Sequence, residues 1–141
     1  TEMSKKSYPE RKILISKLIH DREAIMLYSP TGVGKTWLSL AMGMICAGGG
    51  RLDLVEWQNE DPQPVCYVDG EMLEEDIQER IKLLIPSLNL DEEQLRKNFH
   101  LGKSPGSRKK ITINLVIYGH GMECIIKVTI NIIKVFAITQ K

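Results

Sequence analysis

The stretch Ser29-Pro-Thr-Gly-Val-Gly-Lys-Thr36 decides the fold. A short apolar run, residues 24–28, precedes it. A segment rich in Leu, Ala and Met, residues 36–47, follows it and ends at three glycines. A strand, a glycine-rich loop and a helix in this order are the context that a phosphate-binding loop requires. The sequence therefore predicts a buried strand, such a loop and a helix with a glycine stop.

The residue types in this loop suit a phosphate ligand. Gly32 and Gly34 let the backbone approach an anion without Cβ clashes, so that successive N–H groups point inward. Lys35 is predicted to reach the β- and γ-phosphates, and the Thr36 hydroxyl to coordinate Mg²⁺. The predicted nucleotide-binding residues are Pro30, Thr31, Gly32, Val33, Gly34, Lys35 and Thr36. The alternative is a glycine-rich turn that only caps a helix.

One position departs from the usual G-x-x-x-x-G-K-[ST] pattern. Ser29 stands where that pattern has its first glycine. If the position required a positive φ, serine would cost about 1 kcal/mol or more. We expect the loop to tolerate serine, because the amides that face the phosphates come later in the loop.

A second signal is Val65-Cys-Tyr-Val-Asp-Gly-Glu-Met72. An apolar strand delivers Asp69 and Glu71 at its carboxyl end, the edge where open parallel sheets bind ligands. Glu71 is therefore a candidate catalytic residue that polarises the water attacking a γ-phosphate. In the alternative, Asp69-Gly70 is a strand-end turn and Glu71 begins a helix. There its carboxylate would gain about 0.3–1 kcal/mol from the helix dipole.

Apolar periodicity predicts the other elements. In chain order they are a short helix over 10–19, a polar loop over 51–64, helices over 73–84 and 91–98, and alternating strands over 111–117 and 126–132 with Gly119-His-Gly121 as a hairpin turn. Trp37 follows Thr36 on the first helix, and we expect it to pack rather than to stack on a base.

Composition limits the class of protein. The 141 residues fit one small domain, and 43% apolar with 26% charged residues is ordinary for a globular chain. A net charge of +1 gives no global basic field for nucleic acid. The apolar runs are shorter than the roughly 18 residues of a membrane span, so no membrane partner is expected. Three scattered cysteines form no CxxC pair, which favours a reduced, cytoplasmic location.

The chain changes character near residue 103. Residues 1–103 contain 13 Lys or Arg and 17 Asp or Glu, whereas residues 104–141 contain six and one. Leucine falls from 14 to one, while isoleucine goes from eight to nine in a much shorter segment. Two interpretations stay open for residues 104–141. They form a hairpin that finishes a minimal sheet, or they are non-native sequence from a reading-frame shift near residues 101–105.

Taken together, these motifs resemble the RecA/RepA-type AAA ATPases, which include the hexameric replicative helicase of plasmids. The resemblance covers roughly residues 10–100, and the segment from Tyr67 to Met72 narrows it beyond P-loop proteins in general. It implies a RecA-like parallel sheet with flanking helices, of which residues 1–103 would be the N-terminal part. It also implies ATP and Mg²⁺ as cofactors, with Glu71 activating the hydrolytic water and Lys35 assisting. A homo-oligomeric ring and a DNA-linked activity, as helicase or loader, follow from the resemblance alone.

The chain departs from that family in its last third. Such ATPases carry a later apolar strand that ends in an aspartate, the Walker B carboxylate. After residue 100 the sequence has no such segment, and the tail offers only one acid, Glu123, and one arginine, Arg108. Two functions therefore stay open: ATP hydrolysis coupled to DNA replication or recombination in the intact protein, or a truncated or frameshifted remnant that binds nucleotide weakly or not at all and does not turn it over. A small kinase would need a basic lid over the site, which we do not find.

Overall fold

The computed structural model describes residues 2–27, 30, 32–69, 72–103, 115–119 and 122–128. The strands are β1 (Ile13–Ile15), β2 (Ile19–His20), β3 (Ala24–Leu27), β4 (Arg51–Leu52), β5 (Trp57–Gln58), β6 (Val65–Asp69), β7 (Phe99–Lys103), β8 (Leu115–Gly119) and β9 (Met122–Val128). The helices are α1 (Lys35–Gly48), α2 (Glu74–Leu84) and α3 (Glu92–Asn98). Short 3₁₀ turns cover Glu2–Lys5, Asp53–Val55 and Ile85–Ser87.

The main sheet has five strands in the order β3-β9-β8-β6-β7. β3 pairs with β9 in parallel, and so does β6 with β7, but β8 is antiparallel to both of its neighbours. The architecture is thus α/β, as predicted, but the sheet is mixed rather than parallel. The reason is chain length, because two residues between β8 and β9 allow a hairpin and not a crossover.

The hairpin lies in the middle of this sheet. Gly119 pairs with Met122 at its closed end, and Leu115 pairs with Ile126 further along. Residues 115–117 and 126–128, which belong to the two predicted tail strands, therefore lie in two strands that pair with each other. The remaining parts, residues 111–114 and 129–132, lie outside the described residues. The origin of the tail sequence stays a hypothesis.

Helix α1 forms the centre of the core. It is buried from Ser39 to Gly48, and it contacts strands of the main sheet as well as α2 and α3. Its end is the predicted glycine stop: Gly49 has φ +63°, and its N–H donates to the Ile45 carbonyl. A helix that is apolar on most of its surface is stable only when other elements cover it. The sheet, α2 and α3 provide this cover.

The predicted helix over 10–19 is wrong. Residues 13–20 form the antiparallel pair β1–β2, and Lys17 in the turn between them has φ +64°. Three of the apolar residues there are isoleucines, whose branched Cβ favours strands. Leu14, Ile15 and Ile19 are buried in the core. The predicted loop over 51–64 also contains a short pair, β4–β5.

The two helices that follow β6 in the sequence agree with the prediction. α2 and α3 begin at Glu74 and Glu92, and the Asp91 carboxylate caps α3 by accepting from the Glu93 and Gln94 amides. Sequence reasoning missed β7, which follows α3 directly and pairs with β6. No helix among the described residues has the length and apolar character to cross a membrane.

Candidate functional site

The glycine-rich loop leads from β3 into α1 through two left-handed residues. Gly32 has φ +86° and Gly34 has φ +92°, a region that non-glycine residues rarely adopt. Gly34 is also the N-cap of α1, so that Lys35 is the first helical residue. At the two glycines the chain changes direction, so that the N-terminus of α1 points towards the loop. Thr31 lies outside the described residues.

Lys35 is held against this loop. Its side chain is only 7% exposed, and its Nζ donates to the Pro30 carbonyl at 2.9 Å. An ammonium group is costly to bury unless it is hydrogen-bonded or paired with a negative charge. A phosphate in the loop would lie beside this ammonium and be attracted to its charge.

The first turn of α1 suits an anion as well. Its N-cap is Gly34, which has no side chain that could cap the helix, and the first turn contains no acidic residue. The positive end of the helix dipole stabilises a nearby anion by about 0.3–1 kcal/mol at exposed sites. Thr36 is half-buried in this turn, next to Lys35.

Strand β6 delivers Asp69 to the site edge, as predicted. The half-buried Asp69 accepts a hydrogen bond from the Met72 amide at 3.0 Å, which ties the end of β6 to the residues that precede α2. Gly70 and Glu71 lie outside the described residues. Because α2 begins only at Glu74, with Glu74, Glu75 and Asp76 as its acidic first turn, the alternative in which Glu71 begins that helix is wrong.

A buried hydrogen-bond chain joins the loop helix to β6. The Ser39 hydroxyl donates to the Thr36 carbonyl at 3.0 Å, and its oxygen lies 3.2 Å from the Tyr67 hydroxyl. Since Ser39 has one proton and uses it on Thr36, Tyr67 is the donor to Ser39. Burial raises the pKa of Tyr67 to about 12, with a smaller contribution from the charge of Asp69, so this donor stays protonated at neutral pH. Sequence reasoning missed this chain, because it joins residues far apart in sequence.

The ends of the strands define one edge of the sheet. β3, β9, β6 and β7 all end there, and among these described ends only that of β6 is a carboxylate, Asp69. β9 and β8 separate β3 from β6, which places the ends of β3 and β6 about 14 Å apart at a normal strand spacing. Glu123 pairs with Tyr118 near the closed end of the hairpin, at the opposite end of the sheet. It therefore cannot serve as a carboxylate of this site.

A metal ion here would depend on few protein ligands. Within the described ranges there is no group of three or more His, Cys, Asp or Glu side chains that could hold one. Mg²⁺ commonly keeps several waters and takes substrate phosphates with one or two protein ligands. The Thr36 hydroxyl at the start of α1 could be such a single protein ligand.

A cleft of about 390 Å³ lies between the first turn of α1 and α2. Trp37 lines it with 36% of its surface exposed, and the Arg80 guanidinium carbon lies 4.8 Å from the centre of the indole. Trp37 thus packs against Arg80 on α2, and part of its surface stays exposed to the cleft. No local pattern predicts this pair, since the two residues come together only when α1 and α2 lie side by side.

Comparison with known proteins gives one family. Residues 1–109 match the family described as AAA domain, and the match ends close to the change in composition at residue 103. No curated protein and no solved structure matches the chain.

Proposed function

The chain belongs to the AAA domain family of nucleotide-binding ATPases, and from this premise we propose that residues 30–36 bind the phosphates of Mg-ATP. The observation that carries the proposal is the loop: two left-handed glycines, Gly32 and Gly34, lead into α1, and its N-cap Gly34 has no side chain to cap the helix. The ammonium of Lys35 is held against the same loop. Fixed amides and a preplaced cation stabilise phosphate charge without reorganisation.

Hydrolysis is the proposed activity, with Glu71 positioning the attacking water. Glu71 follows Asp69 by two residues, and Asp69 ends β6, whose carboxyl end lies at the same edge of the sheet as the end of β3. Because the loop and the end of β6 lie at the same edge, this arrangement supports a role for Glu71 in the site. Thr36 would hold Mg²⁺, and the cation would neutralise charge on the phosphates.

Coupling of hydrolysis to DNA, and assembly into a ring of identical chains, are proposed on the resemblance to RecA/RepA-type ATPases alone. The Arg108-Lys-Lys110 run is the local basic feature that such coupling could use. Stimulation of ATP turnover by single-stranded DNA tests the coupling, and light scattering with and without nucleotide tests the assembly.

Calorimetric titration with Mg-ATP tests the binding site. We expect saturable binding in the parent protein and its loss in Lys35→Ala, because that variant removes the cation from the loop. Lys82→Ala is the matched control: it removes the same charge from an exposed position on α2 and should leave the affinity unchanged. Equal losses in both variants would contradict the assignment of the site.

One observation favours a second function, nucleotide binding without turnover. The strands that lie between β3 and β6 bring no carboxylate to the site edge, and Glu123 lies at the other end of the sheet. A turnover assay of the parent protein and of Glu71→Gln separates the two functions. Hydrolysis that is lost in Glu71→Gln while binding persists supports the enzyme. Binding with no hydrolysis in the parent, with or without DNA, supports the binding module.

A further inference from the structure

The buried hydrogen-bond chain of Thr36, Ser39 and Tyr67 lies directly behind the proposed site. The Ser39 hydroxyl donates to the Thr36 carbonyl at 3.0 Å and accepts from the Tyr67 hydroxyl at 3.2 Å. Ser39 and Tyr67 are both 0% exposed. Neither belongs to the glycine-rich loop or to the end of β6, so neither is needed to hold a phosphate or a water.

Stability alone does not require two hydroxyls at this place. The Tyr67 ring stacks on Phe99 with ring centres 6.1 Å apart, and Leu40 next to Ser39 is fully buried, so the surroundings suit apolar side chains. Replacing both partners of a buried hydrogen bond by apolar groups of the same shape is often nearly neutral. A hydrogen bond adds direction to the packing, however, and so limits how far one element can slide along another.

The Ser39–Tyr67 bond is one step behind each candidate catalytic segment. Thr36, the proposed Mg²⁺ ligand, lies one helical turn before Ser39, about 4.5 Å along the axis of α1. Asp69 ends β6 two residues after Tyr67, about 6.6 Å along the strand and on the same face of the sheet. A shift of α1 along β6 would therefore move the glycine-rich loop relative to the end of the strand.

We infer that Ser39 and Tyr67 are positioning residues for ATP hydrolysis, because their hydrogen bond fixes α1, with Thr36, against the strand that leads to Glu71. The inference rests on the proposed function, since it requires hydrolysis at this site. Reacting groups that are displaced by about 1 Å can lose on the order of 10²-fold in rate. The loop, in contrast, binds phosphates with groups of its own, so loss of the bond should slow turnover and spare nucleotide affinity.

The double variant Ser39→Ala/Tyr67→Phe tests the inference. It removes both hydroxyls together, so that neither is left unpaired and the fold keeps most of its stability. We expect kcat for Mg-ATP to fall about tenfold or more, while KM and the calorimetric Kd stay within about twofold. Tyr67→Phe alone should lower kcat to the same extent, because it also breaks the bond between α1 and β6.

Leu95→Val is the matched control. Leu95 is buried on α3 and packs near Gly48, at the end of α1 opposite to the loop: a Cβ added at Gly48 would lie 3.4 Å from the Leu95 Cβ. The variant loses core volume and stability without touching the hydrogen-bond chain. At a temperature where circular dichroism shows all of these proteins folded, its kcat should equal that of the parent.

The other outcomes overturn the inference in ways that can be told apart. An unchanged kcat in the double variant, or an equal loss in Leu95→Val, would mean that the two hydroxyls do not position the reaction, and hydrolysis would stand. Turnover that falls in Tyr67→Phe but recovers in the double variant would show a role in stability alone. A Kd that rises as much as kcat falls would mean that the pair supports the loop.

Failure of the proposed function has a different signature. If the parent binds Mg-ATP without hydrolysing it, the positioning role is wrong together with the proposed hydrolysis, and the loop assignment stands. If the parent does not bind Mg-ATP, the loop assignment is wrong as well.

Discussion

Gly34 illustrates how a single backbone angle supports a site. Its φ of +92° lets the chain reverse into α1, and an added Cβ would have no atom of the described residues within 4 Å. A side chain there is therefore excluded by backbone strain and not by space. Gly50 is the opposite case: its φ is ordinary, but an added Cβ would lie 2.8 Å from the Leu88 carbonyl oxygen.

This contrast predicts different effects for two alanine variants. Gly34→Ala should destabilise the fold by about 1–2 kcal/mol and weaken Mg-ATP binding strongly, because the loop must rearrange to relieve strain. Gly50→Ala should cost about 1–3 kcal/mol through overpacking and leave the affinity of the folded fraction unchanged. Urea unfolding and calorimetric titration measure the two quantities. A Gly34→Ala protein with full affinity would argue against the loop geometry.

Because of Tyr67, the free energy of unfolding should fall as the pH rises above 10. Burial raises its pKa from 10.0 to about 12, so the folded state keeps a proton that the unfolded chain loses. The contribution is fully present below pH 10 and disappears as the pH rises to about 12, with a slope of up to about 1.4 kcal/mol per pH unit. Urea unfolding of the parent and of Tyr67→Phe across this range checks the slope. Parallel pH profiles for the two proteins would contradict the assignment.

At the scale of elements, α1 and β6 form one unit through the Thr36–Ser39–Tyr67 chain. This chain joins the first turn of the loop helix to the strand that ends at Asp69. The side chains of Ser39 and Tyr67 are fully buried. If one of the two hydroxyls is left without its hydrogen bond, the folded protein is destabilised by about 1–3 kcal/mol. The relative placement of the two candidate catalytic segments therefore depends on a link in the core.

A double-mutant cycle measures this link. Ser39→Ala and Tyr67→Phe should each destabilise the protein, and the double variant should cost less than their sum by about 1 kcal/mol. Chemical unfolding gives the coupling energy. Strict additivity would mean that the two hydroxyls do not interact.

The elements that could be predicted are those with local signals. The loop over 30–36 and α1 carry glycines, a lysine and a glycine stop in fixed order, and Asp91 marks the start of α3. The segment 13–20 was misread because its isoleucines satisfy helical and strand spacing alike, and only burial against α1 decides between them. β7 and the Trp37–Arg80 pair were missed because both depend on partners that are distant in sequence.

For the whole molecule, the position of the tail is the main result that local patterns did not predict. β8 and β9 lie between β3 and β6, so the two strands that lead to the candidate site do not touch each other. Their hairpin pairs with β3 on one side and with β6 on the other. Without β8 and β9, which lie beyond the change in composition at residue 103, β3 would be separated from β6 and β7 in the described sheet.

A proline in β8 tests whether the tail completes the sheet. Val116 pairs with Cys66 of β6 and with Ile125 of β9. Val116→Pro removes an amide from the ladder and should cost about 1–3 kcal/mol for the carbonyl left without its donor. Val116→Ala keeps the amide and is the control. If unfolding monitored at Trp57 is the same in both variants, the tail does not support the first hundred residues.

The central position of the hairpin also sets an order of events during synthesis. Ala24 of β3 pairs with Ile125, roughly 100 residues further along the chain. The strand that leads into the glycine loop therefore leaves the ribosome long before its partner exists, and such distant pairings are slow to form. Until β9 arrives, an apolar edge stays open to wrong pairing with other chains. Competence to bind nucleotide should thus be acquired last, and translation rate or chaperone supply should govern the yield of active protein.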